Sequence, residues 1–379
     1  MLIHYKNLWS MNYCDRIQYN IWTTADADME EMVDKLLLNL PTEQLVLRLV
    51  VFCRHTSNEE YVEQKNYLMK KLRLFCGDKM PVVSLVSQPV MGAGMALEVH
   101  SYIPGTNDII KFCSEGDSSY ILIENKEAKF LFAGGFQADV LRLNIAEQSS
   151  KVFSSLGNIL KKEGFPINSI IRQWNYIERI TDFDGDDQHY QSFNNARSEF
   201  YNNVTWEKGY PAATGIGAYF GGVLVDVDAV VFKSDNCYAT PINNRLQVAA
   251  HKYSEEVLEH SGKIKSTPKF ERAKSMTFDN QDIIYISGTA AIRGEESLKG
   301  VGLKQQLHTT MENIAELIKE GKHELLRVYL KSDSFYRESR KLLKEYDLTI
   351  PVIYLHADVC RDELLIEIEG IAKRNNSKQ

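Results

Sequence analysis

The chain is poor in the residues that staple or interrupt a fold: of 379 positions only nine are proline, six cysteine and four tryptophan. Cys14, Cys53, Cys76, Cys113, Cys237 and Cys360 are scattered, with no CxxC pair and no Cys/His cluster at metal-ligand spacing, so they read as reduced thiols and no metal site is expected. No window approaches the ~18 uninterrupted apolar residues of a spanning helix, and the opening MLIHYKNLWS lacks the basic start and apolar run of an export signal. A soluble, cytoplasmic protein without a membrane partner is expected. Positive charge is also short: 44 basic against 51 acidic residues leave a net charge of -7, which argues against general nucleic-acid binding. A small anion can still be held by local arginines.

Apolar residues make up 44% of the chain, enough for a large core, and this length is expected to divide into two or three units. Self-similarity supplies the division. The last stretch, 283–379, reads as the strand IIYISGTAAI, the loop RGEESLKGVG, and a helix from near Lys304 with an apolar face and Gly321 as its stop. The strand LLRVYLKS, a second helix and closing strands that end in EIEGIA follow. Residues 118–232 repeat that order, with KFLFAGGF for IIYISGTA and Gln148 and Gly164 spaced as Gln305 and Gly321 are. Asp226 and Asp228 fall there where Glu367 and Glu369 fall. A worn third copy occupies 1–103, with Glu98 near the acidic position. Linkers are expected over 103–117 and 233–282, the second a structured insertion containing the helix RLQVAAHKYSEEVLEHSG. Three like units in one chain imply an internal pseudo-trimer of α+β class and a monomer in solution. The acid-rich insert TDFDGDDQHYQS lacks the glutamate a calcium loop needs at its twelfth position, and reads as a solvated turn.

The most informative stretch is PVIYLHADVCRDELLIEIEGIA, residues 351–372. Alternation along a strand sends Glu367 and Glu369 to one face and the isoleucines to the other. Two carboxylates on one face repel, and partial burial would lift at least one above a free glutamate, as a proton donor at neutral pH requires. The competing reading is a half-exposed strand with a solvated acidic face.

These motifs, SGTA with Gln305, Asn313, Gly321 and IEIEGIA, resemble the small trimeric RidA/YjgF fold. Over nearly the whole chain RQWNYIERI, FNNARSEFY, YPAATGIGAYFGG, SGTAAIRGEES and ADVCRDELLIEIEG resemble the chorismatases, which carry RidA-like (chorismate mutase-like) domains in one polypeptide. The resemblance implies an enzyme that takes chorismate as its small-molecule substrate and needs neither metal nor organic cofactor. It would remove the enolpyruvyl group as pyruvate after a glutamate, here Glu367, protonates the methylene carbon. Cys360 would then lie beside the substrate ring and favour 3-hydroxybenzoate over a dihydroxycyclohexadiene carboxylate, as a weak nucleophile or by shaping the pocket.

A dianionic substrate asks for arginines, whose planar fork suits carboxylates. Arg172 and Arg197 are the candidates. Tyr176 and Tyr201 are candidate hydrogen-bond donors, and Thr214, Gly215, Ile216 and Gly217 offer a hydroxyl and backbone N–H groups where glycine permits close approach. Thr289 and Ala290 join the set through SGTA. Each also has a structural reading: strand-edge cation, helix-surface ion pair, core tyrosine, bulged strand. The pocket is expected between the second and third units. One departure stands out: the family pattern has histidine where this chain has Glu295, an acid unfavourable near a dianion unless it faces away or pairs with Arg293. Two rivals remain. A RidA-type enamine or imine hydrolase would need a carboxylate-binding arginine just after Pro351, where Val352, Ile353 and Tyr354 stand; a metabolite-binding protein without catalysis would need only the cleft.

Overall fold

The computed structural model describes residues 11–116, 118–254, 259–260, 263–264 and 267–376. The first unit runs β1 (Ile17–Thr24), α1 (Met29–Leu37), β2 (Leu45–Cys53), α2 (Asn58–Cys76), β3 (Val82–Ser87) and β4 (Met95–Tyr102). The second runs β5 (Ile109–Glu115), β6 (Ser118–Glu124), β7 (Ala128–Gln137), α3 (Ile145–Glu163), β8 (Ile170–Glu178), α4 (His189–Tyr201), β9 (Ala212–Ala218) and β10 (Val223–Phe232). The third runs β11 (Cys237–Ile242), β12 (Ala273–Phe278), β13 (Gln281–Ala290), α5 (Leu303–Ile318), β14 (Lys322–Leu330), α6 (Tyr336–Leu343), β15 (Val352–His356) and β16 (Ile366–Asn375).

Helix boundaries follow local chemistry. Asn144 and Glu147 close a capping box at the start of α3, and Gly164, at φ 72°, turns the chain left-handed at its end. The strands are apolar almost throughout because both faces are covered, by helices outside and by the other sheets inside.

The two later sheets share one topology. Their orders, β5-β6-β7-β10-β8-β9 and β11-β12-β13-β16-β14-β15, correspond strand for strand, antiparallel throughout except for the closing pairs β8/β9 and β14/β15. Those parallel pairs are joined by crossovers through α4 and α6, since a short hairpin cannot join parallel strands. The first sheet, β1-β4-β2-β3, is the same pattern without the two outer strands. Side chains from the inner faces of all three sheets fuse into one central core.

Three details differ from the expectations. Residues 103–117 hold β5, which pairs with β6 and extends the middle sheet, and 233–282 supplies β11 and β12 to the last one. The helix expected at 245–262 is represented among the described residues by a 3-10 turn at Ala250–Lys252 and a two-residue ladder, Glu259–His260 with Lys263–Ile264; the rest lies outside them. The glutamine equivalent to Gln148 is Gln306. Gln148 Oε1 accepts from Val223 N at 2.9 Å and Gln306 Oε1 from Leu365 N at 2.8 Å, each tying its helix to the start of the acidic strand, while Gln305 is exposed and the helix cap falls on Lys319. The insert TDFDGDDQHYQS forms an exposed hairpin, Phe183–Asp184 with Asp187–Gln188, around Gly185 at φ 63°.

The units meet at a buried ionic hub. Arg48 on β2, Arg172 on β8 and Arg327 on β14 stack their guanidinium carbons 5.0, 4.7 and 5.8 Å from the ring of Trp174. Each reaches the acidic strand of the next unit. Arg48 meets Asp226 at 3.2 Å and Asp228 at 2.7 Å, Arg172 meets Glu369, and Arg327 closes the circle on Glu98 at 2.6 Å while also holding Glu369 at 2.8 Å. Burial works against ionising Glu98, but Arg327 and His100 outweigh it and hold the carboxyl at about 2.

Candidate active site

Pairing with β14 and β13 puts Glu367 opposite Tyr329 on one side and Ala290 on the other. A break in the β13–β16 register between Ile286 and Thr289 bends β13 toward the carboxyl. The fit leaves room for glycine alone: a Cβ at Gly288 would collide with Glu367 Oε1 and lie 3.0 Å from Thr214 Cγ2. Glu367 is 6% exposed, and what exposure it has faces a cleft of roughly 920 Å³, counting its open mouth, between the second and third units.

The cleft draws on separate stretches of chain. β9 contributes Ala213, Thr214 and Gly215; the start of α4 contributes Tyr190, Gln191 and Asn194; the third unit brings Gly288, Ala290, Ile292, Cys360, Arg361, Leu364 and Glu367. Tyr253, Pro268, Phe270 and Arg272 cover it from the segment between β11 and β12. Among the described residues its charged lining is Arg272, Arg361 and Glu367.

Burial first, and then the fixed negative charge of Glu369, raise Glu367 to about 8 against the opposing pull of Arg272 and Arg172. At neutral pH Glu367 is therefore predominantly an uncharged acid, leaving the cleft with two guanidinium charges. Glu369 stays in place because Arg327 Nη1 and Tyr329 Oη donate to Oε1 at 2.8 and 2.7 Å, and Arg172 and Thr214 donate to Oε2. Burial followed by the neighbouring Glu367 pushes the Cys360 thiol up to about 12, so it is a neutral, half-buried group at neutral pH and a poor nucleophile.

Of the residues singled out in the sequence, Glu367, Cys360, Thr214, Gly215 and Ala290 meet in this cleft. The others lie elsewhere. Arg172 belongs to the hub, bonded to Glu369 and Thr214, and Tyr176 donates no bond to the cleft: its hydroxyl accepts from Arg327 Nη1 at 2.7 Å. Tyr201 donates to Gln173 Oε1 at 2.7 Å within the core. Ile216 is fully buried, Gly217 lies against the Asp358 backbone, and Thr289 Oγ1 donates to Ser287 O at 2.8 Å. Arg197 sits behind the wall. Its Nη2 donates to the cleft residue Asn194 at 2.5 Å, its Nε has no partner, and among the described residues no carboxylate pairs with it. Thr214 is in the cleft, yet its hydroxyl is spent: Oγ1 donates to Glu369 and accepts from Arg172 Nη2 at 2.8 Å and Gly288 N at 3.0 Å. It braces the bend that carries Glu367.

Sequence reasoning missed Arg272, Arg361, Tyr190, Asn194 and Tyr253. Arg361 adjoins Cys360 in a motif already singled out, and Asn194 precedes Arg197 by one turn, so both were within reach. Arg272 and Tyr253 carry no local signal, because they reach the cleft only through the path of the connecting segment. Glu295 does face away. Its carboxylate accepts from Ser254 N at 2.7 Å and Ser254 Oγ at 2.6 Å, while Arg293 pairs with Glu312 and Asn313.

Comparison with known proteins agrees with this architecture. Residues 105–228 match a family described as chorismatase FkbO/Hyg5-like, N-terminal. The chain is 28% identical over 230 residues to a 3-hydroxybenzoate synthase of Streptomyces hygroscopicus, covering 55% of this chain and 65% of that protein, so just under two thirds of the relative is spanned. It is 27% identical over 245 residues to a chorismatase of Streptomyces rapamycinicus, covering 60% and 70%. A crystal structure of a chorismatase superposes with a TM-score of 0.67 at 19% identity, over 94% of this chain and 98% of that one, which establishes the shared fold.

Proposed function

We propose, on the premise that the chain belongs to the chorismatase family, that its cleft converts chorismate to pyruvate and a ring product without a cofactor. One observation carries the reading: Glu367 is buried beside Glu369, which raises it to about 8, at a cleft whose other charged lining residues, among those described, are Arg272 and Arg361. Protonating an alkene carbon needs an undissociated acid beside it, and a dianion needs compensating cations. In the proposed step the enol ether's double bond takes the proton of Glu367 at its terminal methylene carbon. The adjoining carbon becomes an oxocarbenium-like centre, and Glu367 is left as a carboxylate favoured by Arg272 and Arg172, whose charges pull toward its ionised form. Arg272 and Arg361 would hold the substrate carboxylates, with Arg197 adding positive potential from behind Asn194.

The product follows from what attacks that centre. Water would consume one molecule of water and give a dihydroxycyclohexadiene carboxylate. Attack on that centre by the ring's own hydroxyl, whose proton returns to Glu367, would give a cyclic ketal. Loss of the adjoining ring C–H proton with cleavage of one ring C–O bond then aromatises the ring, and the ketal collapses to pyruvate and 3-hydroxybenzoate, which together account for all the atoms of chorismate with no water consumed. The second outcome is favoured here on the side of the cleft formed by the neutral Cys360 and the apolar Leu364, Ile292 and Phe270, which offer a water few partners. Cys360 would act by shape.

The test is incubation with chorismate, following pyruvate enzymatically and the ring product by chromatography. Pyruvate and 3-hydroxybenzoate in equal amounts are expected, and Glu367→Gln should lower kcat on the order of 10²–10⁴-fold while binding is retained. No pyruvate from the wild-type protein, or a near-normal rate in the variant, would sink the reading.

A further inference from the structure

The segment that covers the cleft is held over residues 246–254. Val248 N donates to Gly294 O at 2.7 Å and Gly294 N to Leu246 O at 2.9 Å, so residues 246–248 run as an added edge beside the 292–297 hairpin. Val248 O accepts from Arg272 Nε at 3.3 Å and Nη2 at 3.1 Å. Tyr253 and Ser254 follow. The Tyr253 hydroxyl accepts from Arg272, and its ring lies 5.5 Å from the Arg272 guanidinium carbon and 5.3 Å from that of Arg361. One tyrosine thus spaces the two cleft cations. Arg361 is fixed from the other side, donating through Nη1 to Glu295 O and Ser297 Oγ, each at 3.0 Å. Among the described residues neither arginine forms an ion pair with a carboxylate. The tyrosine is itself placed by its neighbour, because Ser254 gives both N–H and O–H to the Glu295 carboxylate. Such paired, charge-assisted bonds are short and directional.

We propose that Ser254 and Glu295 form a latch that fixes Tyr253, and through it the spacing of Arg272 and Arg361, so that the cleft selects a ligand with two carboxylates over one with a single carboxylate. The acid at 295 then has a positioning role, its carboxylate engaged by Ser254 N and Oγ and absent from the cleft lining. The inference rests on reading the cleft as a dicarboxylate site.

Kinetics with chorismate and calorimetry with chorismate and 3-hydroxybenzoate, the latter two in the Glu367→Gln background, test it. Ser254→Ala and Glu295→Gln should each raise KM for chorismate about tenfold with kcat within about twofold, weaken chorismate binding by a similar factor, and change the binding of the monocarboxylate far less. Ser254→Thr, which keeps the hydroxyl, should restore the wild-type values. If wild type turns chorismate over and the variants match it, the latch is wrong and the function stands. If no pyruvate forms but the variants still lose chorismate selectively, the catalytic reading fails and the latch stands. Equal losses for both ligands, or a fall in kcat alone, would overturn the latch.

Discussion

At the scale of single residues, Glu367 shows how surroundings decide chemistry. Its neighbour two positions on, Glu369, accepts four hydrogen bonds, whereas Glu367 faces apolar walls and the charge of Glu369 itself. Two predictions follow from the sign of its shift. The competent form is the protonated one, so kcat/KM should be level through neutrality and fall tenfold per pH unit above about 8; a rate still rising at higher pH would contradict the acid role. Stability runs the same way. Unfolded, the carboxyl loses its proton near 4.5, while folded it keeps it to about 8, so its contribution is full below the lower value and declines as pH rises to the upper one. Glu367→Gln removes the titrating group, so the variant should gain unfolding free energy over the wild type across that interval, by a few kcal/mol at its top. Denaturation series at acid and mildly alkaline pH would measure the gain, and a constant difference would refute it.

Among elements, the bend in β13 is the part that aims the acid. Gly288 has no side chain where the carboxyl lies, its N–H donates to Thr214 Oγ1, and Thr214 in turn holds Glu369. The backbone there is shaped around the site. Gly288→Ala should push Glu367 aside and cost about 10²-fold in turnover, since displacements near 1 Å can cost that much. Circular dichroism and unfolding should change little by comparison, and unaltered turnover would mean that the bend is not what places the acid. The middle unit keeps the same arrangement without the cleft. A Cβ at Gly134 would strike Asp226, but Asp226 is already engaged by Arg48 at 3.2 Å and Ser84 at 2.6 Å. The first unit spends Glu98 on Arg327 in the same way. Copies of one element have thus become two structural joints and one reactive group.

For the whole molecule, the hub around Trp174 decides which faces of the three units meet. Each arginine needs the acids of the next unit, so a unit alone would leave charges buried without partners. Arg48→Met should therefore cost about 3–5 kcal/mol of unfolding free energy by stranding Asp226 and Asp228, while turnover at low temperature stays near wild type, because Arg48 is no part of the cleft. A variant as stable as the parent would show that apolar contacts alone set the assembly. The same residues mark the limit of reading along the chain. RQWNYIERI is conspicuous as a motif, but whether Arg172 faces a ligand or an internal carboxylate depends on where β16 of another unit lands.

Taken alone, the sequence determined most of the elements of the three units, the α+β class and the acidic strand that carries Glu367, because alternation, capping and spacing are local properties of the chain; it did not show the strands in the connecting stretches, whose pairing partners lie in other segments. Only the tertiary structure decided which charges neutralise one another and which remain for a ligand. Arg172 was drawn into the hub and Arg272 and Arg361 were placed in the cleft by contacts between segments far apart in sequence, and burial, which sets the acidity of Glu367, exists only once the second and third units have closed around it.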